Sequence, residues 1–170
     1  TADNSHQSLD HVHVVEHVLY GFNTAEHATL PGIDLIAINS TFSGWTSTAG
    51  GFESVTFKNC TFDYSTYGYG WPYDCLVKPY GYTIFDGCTF AGKGVGVGYY
   101  LDLSSLAPGY DVIIENCNAD GELITAENYT ELFGEVELPG NTVEGYVTSN
   151  GIKLHNHKWV AATCTAPQTC

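Results

Sequence analysis

Apolar and polar residues alternate in short runs along this chain, and within each run the alternation slips by one residue. In Leu35-Ile36-Ala37-Ile38-Asn39-Ser40-Thr41-Phe42 the first phase is carried by Leu35 and Ala37, the second by Ser40 and Phe42. Val55-Thr56-Phe57-Lys58-Asn59-Cys60-Thr61-Phe62 and Thr83-Ile84-Phe85-Asp86-Gly87-Cys88-Thr89-Phe90 repeat the scheme, and Val112-Ile113-Ile114-Glu115-Asn116-Cys117-Asn118-Ala119 follows it more loosely. A period of two puts alternate side chains on one face, so each run reads as strand with one buried face. The slips fall at Asn39, Asn59, Gly87 and Asn116. Asn and Gly enter the left-handed α conformation most readily, and one such residue turns a strand sharply. The pattern therefore predicts strand, one-residue corner, strand, with Phe57, Phe85 and Ile114 in one inward column.

The corners are separated by 20, 28 and 29 residues. Fainter copies place further corners at His17, 22 residues before Asn39, and at Gly145, 29 after Asn116. Periods of about 20 to 50 residues mark solenoids or propellers, and a propeller blade needs four strands and a longer repeat. The expected fold is all-β, a parallel β-helix solenoid of about six coils. Third strands are expected at Cys75–Val77, Tyr99–Leu103 and Tyr129–Phe133. With its Asn-Cys-Thr-Phe repeat, the chain resembles the right-handed parallel β-helix family of bacterial surface and secreted proteins over roughly residues 10 to 150. The expected organisation is a polar arm at 1–9, the β-helix at 10–153, and a segment of different character at 154–170.

That last segment, His155-Asn156-His157-Lys158-Trp159 through Ala162-Thr163-Cys164 to Pro167-Gln168-Thr169-Cys170, resembles the start of a short Cys/His-containing repeat of Gram-positive gut bacterial surface proteins. The repeat's further Cys-Gly is missing, so the unit reads as truncated. The resemblance implies an extracellular or cell-surface, multidomain parent, with neighbouring domains as partners. Cys164 and Cys170 would then close a small disulfide loop or form half of a metal site. The chain starts at Thr1 and contains no Met, and reads as a processed or excised piece of something larger.

Charge narrows the function classes. Five Lys, no Arg and nineteen Asp plus Glu give a net charge of −14. Binding a phosphate backbone needs clustered basic side chains, so a nucleic-acid partner is not expected. Anionic membranes are disfavoured for the same reason, and no apolar run has the length of a membrane span.

Three candidate chemistries follow. Tyr64, Tyr67, Tyr69, Trp71 and Tyr73 crowd beside Gly68, Gly70 and Pro72 in an insertion after the Phe62 strand. Aromatic faces stack on the apolar faces of sugars and Tyr adds a hydroxyl, so these five residues are the candidate ligand site, for a neutral glycan; the alternative, which can hold at the same time, is an aromatic loop that folds over the β-helix flank and covers it. The residue before each corner should face outward, which stacks Asp86, Glu115 and Glu144 beyond Lys58. Such a column raises its own pKa values, recruits Ca²⁺, or supplies the two carboxylates of glycoside hydrolysis; the alternative is a solvated, splayed row with Lys58 neutralising one end. Lyases acting on acidic glycans, however, typically need Arg or Lys for the substrate carboxylate, and a strongly negative protein repels polyuronates. The third is His11-x-His13-x3-His17, a spacing that suits Zn if the rings converge, with His27 as an unplaced fourth ligand.

Cys60, Cys88 and Cys117 should share one inward column, about 4.8 Å apart. Stacked thiols acting as small hydrophobes are one reading and a disulfide between coils the other. Asn39, Asn59 and Asn128 match the glycosylation pattern, but the first two already serve as corners. The function that best joins these observations is a non-catalytic binding or spacer module, adhesin-like, of an extracellular protein. The alternatives are a polysaccharide-cleaving enzyme using the carboxylates and a His-based metal-binding domain.

Overall fold

The computed structural model describes residues 7–10, 13–14, 34–43, 46–47, 54–63, 75–92, 99–133, 137–138 and 141–160. In chain order these form β1 (Gln7–Asp10), β2 (His13–Val14), β3 (Asp34–Ile38), β4 (Thr41–Ser43), β5 (Thr46–Ser47), β6 (Ser54–Lys58), β7 (Thr61–Asp63), β8 (Cys75–Lys78) and β9 (Tyr82–Asp86). There follow β10 (Thr89–Phe90), β11 (Tyr99–Leu101), β12 (Asp111–Glu115), β13 (Asn118–Ala119), β14 (Glu122–Leu123), the short helix α1 (Tyr129–Phe133), β15 (Glu137–Leu138), β16 (Asn141–Val147) and β17 (Gly151–Asn156). The protein is all-β and its repeats pair in parallel.

Successive repeats visit three sheets in the same order. The first sheet runs β1-β3-β6-β9-β12-β17-β16-β15, the second β14-β13-β10-β7-β4-β2, and the third β11-β8-β5. The slips in the sequence pattern are the turns between first and second sheets. Asn39, Asn59 and Asn116 have φ of 52°, 52° and 55°, and Gly87 has 66°. The Asn39 N–H donates to Lys58 O at 2.9 Å, Asn59 N–H to Asp86 O at 2.8 Å and Gly87 N–H to Glu115 O at 2.9 Å, so the corners stack in one row. The left-handed residue rotates the chain while its own amide still joins the ladder.

Inside, Ala37, Phe57, Phe85 and Ile114 are in register and fully buried. Phe42, Phe62 and Phe90 form a second column, with stacked ring centroids 5.2 and 5.3 Å apart. The two columns meet edge to face at 5.0 Å between Phe57 and Phe62 and 5.6 Å between Phe62 and Phe85. Such offset and edge-on contacts add to simple area burial. The thiols stand beside them. Cys60, Cys75, Cys88 and Cys117 are buried thiols, none of them in a disulfide, which sets aside that alternative for them. Cys60 Sγ donates to Ala37 O at 3.4 Å and Cys88 Sγ to Phe57 O at 3.3 Å. Cys164 and Cys170 lie outside the described residues.

The structure corrects several expectations. β1 and β2 pair with β3 and β4 through Asp10↔Ile38 and His13↔Thr41, so the first copy lies six residues upstream of a corner at His17. The faint alternation of Val15 and Val18 set the wrong register. The parallel series in the first sheet ends at β12, short of the sixth coil, because β17 and then β16 add in antiparallel orientation. Gly145 is consequently no corner. It lies within β16, where a Cβ would meet the Tyr129 hydroxyl at 2.7 Å and ring carbon Cζ at 2.8 Å, so its task is to let Tyr129 approach the strand. Tyr129–Phe133 is helical, not a third strand. The third strands at β8 and β11 are present as expected. Finally, β1 begins at Gln7 inside the expected arm, and β17 runs through the expected boundary at 153/154.

The segment after β14 is held by one side-chain amide. Asn128 Nδ2 donates to Leu123 O at 2.9 Å and Asn128 Oδ1 accepts from the Thr125 N–H at 2.8 Å, so this glycosylation-type asparagine is spent on structure. Tyr100, fully buried, places its hydroxyl on Asp120.

Candidate functional site

The outward face of the first sheet carries rows of side chains set by strand register. At one end of the strands Ile38, Lys58, Asp86 and Glu115 are aligned. Asp86 and Glu115 are thus one repeat apart on the same flank, as the sequence predicts. Asp86 already has partners: Lys58 Nζ lies 3.6 Å from its Oδ2 and Asn116 Nδ2 donates to its Oδ1 at 3.0 Å. Glu144 does not join the row. The antiparallel turn puts it opposite His155, which in turn lies opposite Asp111, at the other end of the strands from Glu115. The three carboxylates of the expected column are therefore split two and one.

That other end gathers more chemistry than the sequence reading assigned to it. On β17, Ile152, Leu154 and Asn156 are buried, which turns Lys153 and His155 outward. Asn156 anchors the strand end: its Nδ2 donates to Leu106 O at 2.6 Å, and its backbone N–H to Tyr110 O at 3.0 Å. His155 Nδ1 is 2.6 Å from Asp111 Oδ1, and His157 Nε2 is 2.7 Å from Glu144 Oε2. The Tyr146 hydroxyl also donates to Glu144 Oε2, at 2.8 Å. The His155 and His157 rings meet edge to face at 4.8 Å, and Trp159 stacks on His157 at 4.9 Å. Lys153 Nζ sits 5.3 Å from the Tyr146 ring centre and 3.7 Å from Asp111 Oδ2. Tyr146 and Trp159 are 39% and 41% exposed, so both rings reach the surface beside two carboxylates.

Electrostatics agree with this geometry. The His157 hydrogen bond, then that of Tyr146, hold the Glu144 carboxyl below the usual carboxylate range. An exposed carboxylate braced by two donors is a preset acceptor or anion. Elsewhere, burial opposes the charge on Lys78 but the hydrogen bond and attraction of Asp102, 2.8 Å away, carry its pKa upward. Burial likewise opposes ionised Asp102, yet the bonds from Lys78 and Ser104 hold it down. The flanking thiols of Cys117 and Cys60, together with burial, push the Cys88 thiol far up, so it stays protonated.

Of the residues chosen from sequence, Tyr64, Tyr67, Tyr69, Trp71 and Tyr73 lie outside the described residues, between β7 and β8. So do His11 and His17. His13 is in β2. Among the described residues no three His, Cys, Asp or Glu side chains are grouped to hold a metal ion. The site at His155 and His157 was missed because Asn156 interrupts the apolar alternation with a polar residue at an inward position. Ile152 and Leu154 alone do carry the signal. No protein-family model, curated protein or solved structure matches this chain.

Proposed function

We propose that this chain is a parallel β-helix acting as a non-catalytic binding or spacer module of an extracellular protein. The observation that carries the reading is the register itself. Four successive repeats pair residue for residue in the first sheet, with a common row of left-handed corners. A stack of that kind is stiff along its axis and offers an extended flank for contacts. Three repeats also pass through a third sheet at β5, β8 and β11, as the coils of a solenoid would. The aromatic stretch Tyr64–Tyr73 lies in sequence between β7 of the second sheet and β8 of the third. Aromatic residues set among glycines suit a glycan without acidic groups, since net charge −14 repels polyanions.

The test is a glycan-array screen of the purified chain beside a Tyr69→Ala/Trp71→Ala variant. A neutral glycan bound by the parent and lost in the variant, at unchanged thermal midpoint, supports the reading. Binding that survives in the variant, or unfolding of the variant, removes the loop as the ligand site. Cleavage of any bound glycan would replace the non-catalytic reading with the enzyme alternative.

A further inference from the structure

The cluster at the far end of the first sheet is independent of that aromatic insertion, and its chemistry is different. We propose that Glu144, Tyr146 and Trp159 form a docking site for a lysine side chain of a partner polypeptide. The chain displays the interaction in its own Lys153. That ammonium lies over the Tyr146 ring at 5.3 Å and 3.7 Å from Asp111, a cation held jointly by an aromatic face and a carboxylate. Glu144, one strand over on β16, repeats the carboxylate, and Trp159, beyond the end of β17, repeats the ring, both in contact with the His157 imidazole. Among the described residues no lysine pairs with Glu144, whose side chain is 57% exposed.

Three features fit a lysine rather than a sugar. Both hydrogen bonds to Glu144 fall on Oε2, fixing the carboxylate without covering it. The exposed Trp159 ring can receive the aliphatic stem, which packs on apolar surface while its head seeks charge. The whole molecule, with nineteen acidic residues against five Lys, attracts basic partners from a distance and raises their encounter rate.

The probe is a short peptide, acetyl-Lys-Gly-Lys-Gly-Lys-amide, titrated calorimetrically against the full chain, with the same peptide acetylated on every lysine as its neutral twin. The expected result is binding of the charged peptide only, weakened roughly tenfold by Glu144→Gln, the size of one charge-assisted hydrogen bond. Trp159→Ala should weaken it similarly. Lys153→Gln should tighten it, because an internal competitor for Asp111 and Tyr146 is gone. Asp86→Asn removes the same charge at the other end of the face and should have little effect. Equal loss from Asp86→Asn and Glu144→Gln would mean non-specific attraction and overturn the proposal. So would equal binding of the acetylated peptide, weaker binding by Lys153→Gln, or displacement of the peptide by a neutral oligosaccharide. A glycan bound only through Tyr69 and Trp71 would leave the proposal standing or falling on these results alone.

Discussion

Single residues decide where this chain turns and where it can pack. Gly87 has φ of +66°, and a Cβ there would meet the Asn59 Oδ1 at 2.5 Å. Its neighbours in the corner row are asparagines, which accept the same conformation, and the Asn59 side-chain end can move aside. Gly87→Asn should therefore stay close to the parent in stability, whereas Gly87→Val should be lower by about 1–2 kcal/mol more, the strain of a β-branched residue in the left-handed region. Urea unfolding midpoints of the two variants check this, and equal midpoints would show that the corner tolerates any residue. Gly151 answers to a different constraint. A Cβ there would lie 2.0 Å from the Ile114 carbonyl oxygen, which is backbone and cannot step away. Gly151→Ala should cost on the order of 3 kcal/mol or more, and hydrogen exchange should place the loss first in β16 and β17.

At the scale of elements, the ladder of strands is also a ladder of side chains. Phe62 touches rings in its own column and in the next, at 5.0 to 5.6 Å. Phe62→Ala should lower unfolding free energy by about 3–5 kcal/mol, since the neighbouring repeats fix the cavity walls. The thiol column gives a kinetic counterpart. Cys60, Cys75, Cys88 and Cys117 are at most 4% exposed, so a thiol reagent should label them only as fast as the fold opens. Rapid labelling in native buffer would show an open core. The Lys78–Asp102 pair links β8 to the segment after β11 and sets a pH response. Asp102 has a depressed pKa, so its contribution is present above the unfolded value near 3.9 and is lost as pH falls through the folded value. Lys78 has a raised pKa, so its share is full below the unfolded value near 10.4 and fades as pH rises through the folded one. The stability gap between parent and Asp102→Asn should thus be widest from weakly acid to weakly alkaline pH and close at both extremes. A gap that grows on acidification would contradict the pairing.

Over the whole molecule, charge is the dominant long-range term. A net charge of −14 on 170 residues repels itself in the compact state. Salt up to about 0.15 M shortens the screening length to about 8 Å and should raise the thermal midpoint. A midpoint that falls with salt would mean that the ion pairs outweigh the self-repulsion. The same field favours basic partners over acidic polymers, which joins the lysine-docking site to the global electrostatics.

The amino-acid sequence alone determined the strands, the corners and the inward columns of the four clear repeats. Each depends on near neighbours: period-two alternation selects a face, and Asn or Gly at a slip permits a left-handed turn. Because equivalent positions recur, Phe57, Phe85 and Ile114 could be aligned without coordinates, as could Asp86 and Glu115. Tertiary structure alone decided how the series ends. Parallel and antiparallel strands share the same alternation, so nothing local in Asn141–Val147 distinguishes another coil from a hairpin arm. What distinguishes them is long-range: Gly151 fits against the Ile114 carbonyl, Gly145 makes room for Tyr129, and Asn156 finds its partners in Leu106 and Tyr110. Reversing the direction of one strand moved Glu144 from the carboxylate row to the side of His157, and with it the candidate site.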